Sequence, residues 1–596
     1  MLCAVLTFPA HAHDARKTIT TLIPIPKKTV ILGEESVSPS VTSIIFENNP
    51  DRNSEHYTLS VKPDSIIITA ASPRAEIWAR ATLSQLIDST GRYPQVFIDD
   101  EPEFPLRGFL WDDGRNFSGK EIIKHYLDIM SAYKLNLFQW HLTDHPAWRI
   151  ESLHYPALND SAFQRPGRDN GKYYTYDDIR EIIDYATNRG ITVIPEIDMP
   201  GHSTYFIDTF GFTMDSEEGK SILEKCIDEF CSEIPVEICP YIHIGSDEIY
   251  IADPEGFMQW SQTLLRKHGR TTFAWDPGLP ADSLTVRQLW RDGSVIETLE
   301  QPSYPFVDSS MGYLNYYDPL LFPAKIFYHT PCITGYRSEY AKGGILCMWY
   351  DVRIDDKHLA LHHNGMAAGI MAFAERFWNG GRLYPGTKGT LLPAADTPEA
   401  KAFEDFQQRM MLHKRQHCPE EMRYWTPLHF PQWKVKLSTP HQIIDTVANG
   451  DIIDLTALCT TLGIPGDDSV KCTIVRTLHS DTACVALFKI GFDSPARSNR
   501  ISPGIPLQGQ WAANGTVKIN GQNIEPPIWK EPGAYNFHFN TWARPEEELP
   551  YTSEQLYWMG NAIPIAFSQG ENEIEITLER TFPGQRFHAA FIEVKN

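Results

Sequence analysis

A chain of 596 residues is long enough for three or four domains, and its 42% apolar and 22% charged residues are those of an ordinary globular protein. Its formal net charge of −23 argues against nucleic acid and anionic membranes as partners. No run of eighteen apolar residues occurs, so no membrane-spanning helix is expected. The ten cysteines have no regular spacing, no CxxC and no zinc-type Cys/His cluster, so no metal or other cofactor is expected. Cys226 and Cys231 are five apart and leave one disulfide open. The composition specifies no oligomeric state.

The first eighteen residues are read as a signal remnant. MLCAVLTFPAHA is apolar and ends in an Ala-x-Ala cleavage pattern, although it lacks a basic start. The expectation is a secreted or periplasmic protein. Residues 19–102 read as a small α+β domain. Tyr57, Leu59 and Val61 alternate with polar residues, Pro63-Asp64 turns the chain, and Ile66-Ile67-Ile68 forms a second β-rich run. AEIWARATLSQLID follows as a helix with Ala79, Leu83 and Leu86 on one face.

From 103 to 380 the pattern is strand, loop, helix, repeated. Eight strands are read, at Phe104–Asp113, Leu135–Asp144, Ile191–Pro200, Tyr241–Glu248, Thr271–Asp276, Thr285–Trp290, Pro305–Ser310 and Gly344–Asp351. GKEIIKHYLDIMSAYK and YDDIREIIDYATNRG are helices, the second stopped by Gly190. Eight βα units over this length predict an α/β protein built on a (β/α)8 barrel, with short or irregular helices after strands five to seven. Residues 381–433 read as a helical linker. Residues 434–596 read as a β-sandwich, with an Asn520-Gly521 hairpin and a clean alternation at Ile574, Ile576 and Leu578. Trp511, Trp529 and Trp542 are candidate sugar platforms there, but a core-packing role is favoured.

In a barrel the chemistry gathers at the C-terminal ends of the strands. The first carries Arg107, then Asp112 and Asp113, the second ends with Asp144, followed by Trp148-Arg149, and the third ends with Asp198 and His202. Asp247 and Glu248 end the fourth, Trp275 and Trp290 lie on the fifth and sixth, and Trp349 with Asp351 ends the eighth. Acids, a histidine and three indoles at one rim describe a pocket for a single sugar ring, held by its apolar face and its hydroxyls.

The segments Arg107-Gly108, FQWHLTD with WRIE, PEIDMPGHS, HIGSDE, FAWD and ILCMWYD occur in an order that resembles glycoside hydrolase family 20, the β-N-acetylhexosaminidases. The resemblance covers about residues 20 to 380. It implies an exo-acting, retaining hydrolase that removes terminal β-linked GlcNAc or GalNAc from a glycan partner. The substrate's own 2-acetamido oxygen acts as nucleophile, an exception to the two-carboxylate scheme. On that resemblance Glu248 is the general acid and base, kept protonated beside an ionised Asp247 that accepts the acetamido N–H. Arg107 holds the 3- and 4-hydroxyls, and Asp144 and His202 form a polar pair beside the acid. Trp275, Trp290 and Trp349 wall the acetamido group and ring. Tyr313 hydrogen-bonds the acetamido oxygen, with Tyr316 and Tyr317 as alternatives, and Asn315 falls where many members have Asp. Asp351 stands where Glu is common. Ser246 replaces the second glycine before the acid pair, and His145-Pro146-Ala147 follows HLTD where Asp-Gln-Gly is frequent.

Three other readings compete. One is a two-carboxylate retaining glycosidase with Glu196 as nucleophile. A second is a non-catalytic N-acetylglycan-binding protein on the same fold. The third is a hydrolase with a metal held by His141, Asp144, His145 and His202, which lack H-E-x-x-H spacing.

Overall fold

A computed structural model describes residues 21–47, 53–294, 296, 303–358, 365–382, 390–493, 504–534, 548–550, 552–554 and 556–594. The opening segment MLCAVLTFPAHA and Trp542 lie outside the described residues.

The N-terminal unit is a five-stranded sheet under one helix. Its strands are β1 (Lys28–Ile31), β2 (Val41–Phe46), β3 (Tyr57–Val61), β4 (Ser65–Ala70) and β5 (Val96–Asp100), in the order β1-β5-β3-β4-β2. Helix α1 (Pro73–Leu86) is capped by Ser72, whose side chain accepts the Ala75 N–H, and it buries Ala79 and Leu86 against the sheet.

The central unit is a closed parallel barrel of β6 (Leu106–Asp112), β7 (Leu137–His141), β8 (Thr192–Glu196), β9 (Tyr241–His243), β10 (Thr271–Asp276), β11 (Val286–Leu289), β12 (Phe306–Asp308) and β13 (Ala341–Met348). Each overlaps one of the eight stretches read from the sequence, the last beginning three residues before the expected Gly344 and ending at Met348, so that Trp349 and Asp351 follow the strand. The lumen is packed by Leu110, Leu137, Ile194, Phe273, Val286, Val307, Ile345 and Cys347.

Outside run α2 (Lys120–Ala132), α3 (Tyr176–Thr187), α4 (Thr204–Phe210), α5 (Glu217–Glu233), α6 (Pro254–Lys267), α7 (Phe322–Tyr328) and α8 (Met366–Asn379). Helix α3 starts on a reciprocal capping box between Thr175 and Asp178. Between β10 and β11 residues 277–285 form no helix, and α7 has only seven residues, so this side of the wall is thin.

Helix α9 (Pro398–Gln416) buries Phe403, Phe406 and Met410 in the same cluster as the barrel and its helices, so it is a packed buttress. The C-terminal sandwich faces a six-stranded sheet with a four-stranded one. The first comprises β14 (Gln432–Ser438), β15 (Ile443–Asn449), β17 (Val470–Ser480), β19 (Thr516–Ile519), β20 (Gln522–Asn523) and β22 (Gly570–Arg580). The second comprises β16 (Ile452–Asp454), β18 (Cys484–Asp493), β21 (Ile563–Phe567) and β23 (Phe587–Glu593). Asn520 and Gly521 join β19 to β20 with φ of 50° and 79°, the left-handed pair a two-residue hairpin needs. Trp511 is buried in the sandwich core, whereas Trp529 is half-exposed and donates to the Gln510 carbonyl.

One open question is answered and one expectation is corrected. Cys226 and Cys231 are unpaired, because both lie on α5, where side chains five apart point away from one another. Arg107 is the second residue of β6, at the opposite end of the barrel from the rim. Five residues along a strand, at about 3.3 Å each, separate it from Asp112 by roughly 16 Å. Its guanidinium meets Glu55 at 2.5 Å, donates to the carbonyls of Phe104 (2.7 Å) and Lys134 (3.0 Å), and stacks 5.0 Å from the Trp378 ring. Glu55 also accepts from Trp78 at 2.6 Å and Asn136 at 2.9 Å. Lys134 lies 4.3 Å over Trp378 and pairs with Asp100 at 3.2 Å. Arg107 therefore locks the N-terminal sheet to the barrel floor and reaches no pocket.

An Arg107→Ala change strands a buried Glu55 and should cost about 3–5 kcal/mol, read as a lower urea midpoint. Wild-type stability combined with weakened ligand affinity would restore the sugar-contact role.

Candidate active site

The rim is built outward from a strand end. β9 stops at His243, and the next residues turn sharply, with Gly245, Ser246 and Glu248 all at positive φ (64°, 79° and 51°). Asp247 and Glu248 therefore sit on a loop, a shorter strand than the expected Tyr241–Glu248. The turn is tied to its neighbours by backbone bonds. Met199 N–H donates to the Ile244 carbonyl (3.1 Å), Trp275 N–H to Gly245 (3.0 Å) and Leu279 N–H to Ser246 (2.8 Å). A Cβ on Gly245 would lie 1.8 Å from Asp198 Oδ1, so glycine is required there. The same Oδ1 accepts the Ser246 N–H at 3.3 Å, while Asp198 Oδ2 accepts from His202 Nδ1 at 2.8 Å. His202 Nε2 then lies 3.5 Å from Glu248, whose side chain is 52% exposed, and Nδ1 lies 4.0 Å from Asp247 Oδ1.

A second cluster holds the opposite side. Arg115, on the loop after β6, contacts Asp112 (3.0 Å), Asp144 (2.9 Å) and Asp351 (3.9 Å), with its guanidinium 4.9 Å over the Trp349 ring. Asp144 is fixed by a short hairpin in which Thr143–Asp144 pairs with Ala147–Trp148, and its Oδ2 meets His141 Nε2 at 3.0 Å. Burial pushes Asp144 up, but Arg115 and His141 hold its carboxyl well below the ordinary range. Asp351 is pushed up by burial and by Asp112 and Asp144, against the pull of Arg115. Asn315 donates to Asp351 (3.3 Å) and accepts the Trp349 N–H (3.3 Å).

Between these clusters stands an aromatic box. Trp290 and Tyr313 are parallel within 4° at 6.4 Å, and Trp275 and Trp349 close it at 6.5 and 6.0 Å from them. This settles the tyrosine register. Tyr313 lines the box, Tyr316 stacks behind it at 6.0 Å, and Tyr317 stacks away on Phe322 at 4.9 Å.

The structure thus gathers Glu248, Asp247, Asp144, His202, Trp275, Trp290, Tyr313, Asn315, Trp349 and Asp351 at one rim and leaves out Arg107. Arg115 occupies the pocket in its place. The signal was available, since Arg115 follows the strand's C-terminal end and Arg107 precedes it.

The protonation pattern also differs from expectation. Burial together with Asp198 pushes Asp247 up to about 7, whereas the hydrogen bond to His202 draws half-exposed Glu248 below its ordinary value. In the free protein the two shifts run opposite to the division implied by the resemblance. Enclosure sets the order: Asp247 faces other acids in a closed space, and Glu248 has water and an imidazole. His202 is raised well above its usual value, because Asp198 and Asp144 outweigh its burial.

Glu196 is fully buried and receives Gln139 (2.7 Å) and Trp275 Nε1 (2.9 Å), with His141 Nδ1 at 3.1 Å. A carboxylate so engaged has no free face for attack, which removes the nucleophile of the two-carboxylate reading. Ligand atoms of His141, Asp144 and Asp198 lie within 4.8 Å of one another, as do those of Asp198, His202 and Asp247. Asp144 and Asp198 already neutralise Arg115 and His202, so both sets are organised around cations the protein itself supplies. His145 lies beside both sets, with its ring 5.1 Å from that of His202, its backbone N–H on Asp144 at 2.6 Å and its Nδ1 on the Thr204 hydroxyl at 2.7 Å.

A parallel barrel with a carboxylate pair and an indole box at its C-terminal rim belongs to the class of barrel proteins built around a sugar-sized pocket. Residues 104–211 match the profile "Glycosyl hydrolase family 20, catalytic domain", and residues 7–101 match "Glycosyl hydrolase family 20, domain 2". A beta-hexosaminidase of Porphyromonas gingivalis is 31% identical over 338 residues, 46% of this chain and 43% of that protein. One from Akkermansia muciniphila is 33% identical over 334 residues, 47% of this chain and 67% of that protein. The alignments with the Porphyromonas gingivalis and Vibrio furnissii relatives each span 43% of the relative's length. Among solved structures, a beta-N-acetylhexosaminidase from Bacteroides fragilis superposes with a TM-score of 0.54 at 22% identity, covering 66% of this chain and 96% of that one. An exo beta-N-acetylglucosaminidase from Vibrio harveyi gives 0.56 at 21%, covering 70% and 79%. At these identities the superpositions establish the fold. The chain belongs to glycosyl hydrolase family 20.

Asp247 holds its proton more tightly in the folded protein, at about 7 against an ordinary 3.8. The folded state carries the extra proton between those values, so stability falls as pH rises through that window. Asp247→Asn removes the effect. It should raise the thermal midpoint by about 1–3 °C at pH 8 and leave it nearly unchanged at pH 4. Equal shifts at both pH values would show that Asp247 is not held protonated.

Proposed function

We propose that this protein is an exo-acting, retaining β-N-acetylhexosaminidase working by substrate assistance. The observation that carries the reading is Asp247 Oδ1, a buried acceptor with no hydrogen-bond partner among the described residues, set beside the aromatic box and next to Glu248. A buried, unsatisfied acceptor in a ligand pocket calls for a donor on the ligand. The N–H of a 2-acetamido group supplies one, and its methyl fits an indole-lined wall.

In this mechanism the acetamido oxygen attacks the anomeric carbon from below. The bond to the leaving oxygen breaks as Glu248 gives that oxygen its proton, leaving a bicyclic oxazolinium ion. An intramolecular nucleophile removes the entropic cost of bringing in a second reactant. Asp247, accepting the N–H, stabilises the positive charge that develops on the ring nitrogen. Water then attacks the anomeric carbon from the vacated face, giving its proton to Glu248, and the amide reforms with configuration retained. Arg115, Asp351 and Asn315 are suited to sugar hydroxyls. Tyr313 is suited to the acetamido oxygen, and Trp349 to the ring face.

The protonation order in the free site is compatible with this chemistry. The Asp247–Glu248 pair carries one proton between the lower and the higher of its two values. A bound acetamido N–H lowers Asp247, while coverage by sugar and aglycone raises Glu248, so binding moves that proton onto the acid. The opening segment's Ala-His-Ala pattern supports export. Mass spectrometry of the mature N-terminus checks it, and an intact Met1 in a cytoplasmic fraction would count against it.

Paired aryl β-glycosides with and without the 2-acetamido group test the activity. Release is expected from the N-acetyl sugar only, falling by at least ~100-fold in Glu248→Gln and in Asp247→Asn. Equal release from both sugars would require an enzyme nucleophile, and binding without release would leave a glycan-binding protein.

The pH dependence of kcat/KM should be bell-shaped, because only the singly protonated pair is productive. Its alkaline limb should lie near 7, where the free pair loses its last proton, and its acid limb below the ordinary glutamate value. A plateau extending well above pH 8 would contradict the coupling.

A further inference from the structure

The C-terminal domain reaches the rim of the pocket with a charge. Glu548 follows β20 by twenty-five residues of chain, is only 4% exposed, and lies against the barrel. Its carboxylate accepts from Arg168 Nε at 3.1 Å on both oxygens and from Arg168 Nη2. It also accepts from Arg165 at 3.3 and 3.2 Å. Arg168 is fully buried, and its other contacts run into the sugar pocket's backbone. Nη2 donates to the Asp351 carbonyl at 2.7 Å, and Nη1 to the carbonyls of Tyr350 and Arg115 at 3.4 Å each. The Arg168 carbonyl in turn accepts from buried Arg149 at 2.5 Å.

We propose that Glu548 is a positioning residue for this pocket, holding Arg168 so that it clamps the loops bearing Arg115 and Asp351. This rests on the reading of those two side chains as sugar contacts. The physical argument is the asymmetry of buried charge. A guanidinium with no solvent access keeps one geometry only while a carboxylate sets it, and a neutral partner weakens both the charge-assisted bonds and the fork orientation. The three carbonyls that Arg168 grips come from two different βα loops, so its position fixes the separation between the two sugar-contacting side chains. A second set of bridges supports a third loop, the one after β12. Arg586 donates to the Tyr316 carbonyl at 3.1 Å, and His588 lies 3.3 Å from Asp318, to which Tyr557 also donates. The sandwich thereby braces the loop of Tyr313 and Asn315 as well. On this account the C-terminal domain is part of the sugar pocket rather than an appended binding module.

The test uses the full chain with Glu548→Gln, which conserves shape, and Glu548→Asp, which conserves charge. Two readouts are taken. The first is hydrogen exchange at the amides of Trp349, Tyr350 and Ile354, which donate to Asn315, Asp112 and Asn116. Glu548→Gln should speed their exchange about tenfold without changing the barrel-strand amides, and Glu548→Asp should recover part of the protection. The second is kinetic. Glu548→Gln should raise KM for an aryl β-N-acetylhexosaminide about tenfold with kcat changed less than threefold, and its effect should be non-additive with Asp351→Ala. Unchanged exchange at the three amides, or full additivity with Asp351→Ala, would overturn the proposal. Should Glu548→Gln fail to fold, the Asp variant and its cycle with Asp351→Ala carry the same decision. A wild-type chain without hydrolytic activity would defeat the functional reading, while the exchange data would still decide the role of Glu548.

Discussion

One carboxylate, Asp198, sets the geometry on which the rest of the site depends. Its Oδ1 holds the Ser246 N–H at a distance that only a glycine at 245 permits, and its Oδ2 turns His202 toward Glu248. Both members of the acid pair are thereby placed by a neighbouring strand's residue, through a turn whose backbone is left-handed at three of four positions. Serine at 246, with φ of 79°, carries a strain that a second glycine would relieve, and its hydroxyl is buried without a partner among the described residues. The anchoring bonds to Met199, Trp275 and Leu279 supply the rigidity that keeps this conformation.

The electrostatics follow from the same crowding. Four acids, Glu196, Asp198, Asp247 and Asp144, lie among His141, His202 and Arg115, and each cation is assigned to the carboxylates deepest in the wall. Asp247 is the acid left facing others, so its proton affinity rises, whereas Glu248 at the mouth has solvent and His202. Under the proposed substrate-assisted reading, contact of an amide N–H with Asp247 couples recognition of the 2-acetamido group to activation of the acid.

Much of this was legible in the sequence, and the failures have physical causes. The eight barrel strands were readable because their apolar residues cluster in short runs bounded by turn and helix signals, although polar residues interrupt several, as in Val286–Leu289. The rim residues were readable because they cluster at the ends of those runs. Arg107 was misplaced because the motif outweighed its place near the N-terminal end of the strand, which the sequence already indicated. Its true neighbours, Glu55 and Trp378, are about 50 and 270 residues away. The opposed shifts of Asp247 and Glu248 were not legible either, since they depend on Glu196, Asp198 and His202 from a neighbouring strand and its loop. The contact of Glu548 with Arg168 spans 380 residues, and no local pattern announces it.

The floor of the barrel has a consequence for how the chain behaves as a whole. Trp378 closes the last barrel helix and is gripped between Arg107 and Lys134, which answer to Glu55 and Asp100 of the N-terminal sheet. The boundary visible in the sequence near residue 102 is thus a boundary in topology but not in energy. Separating the two units would expose two cations and two anions that are neutral only as a set. Neither unit is a module that can be lost, exchanged or duplicated alone, so the pair is expected to be inherited and to unfold as one cooperative block.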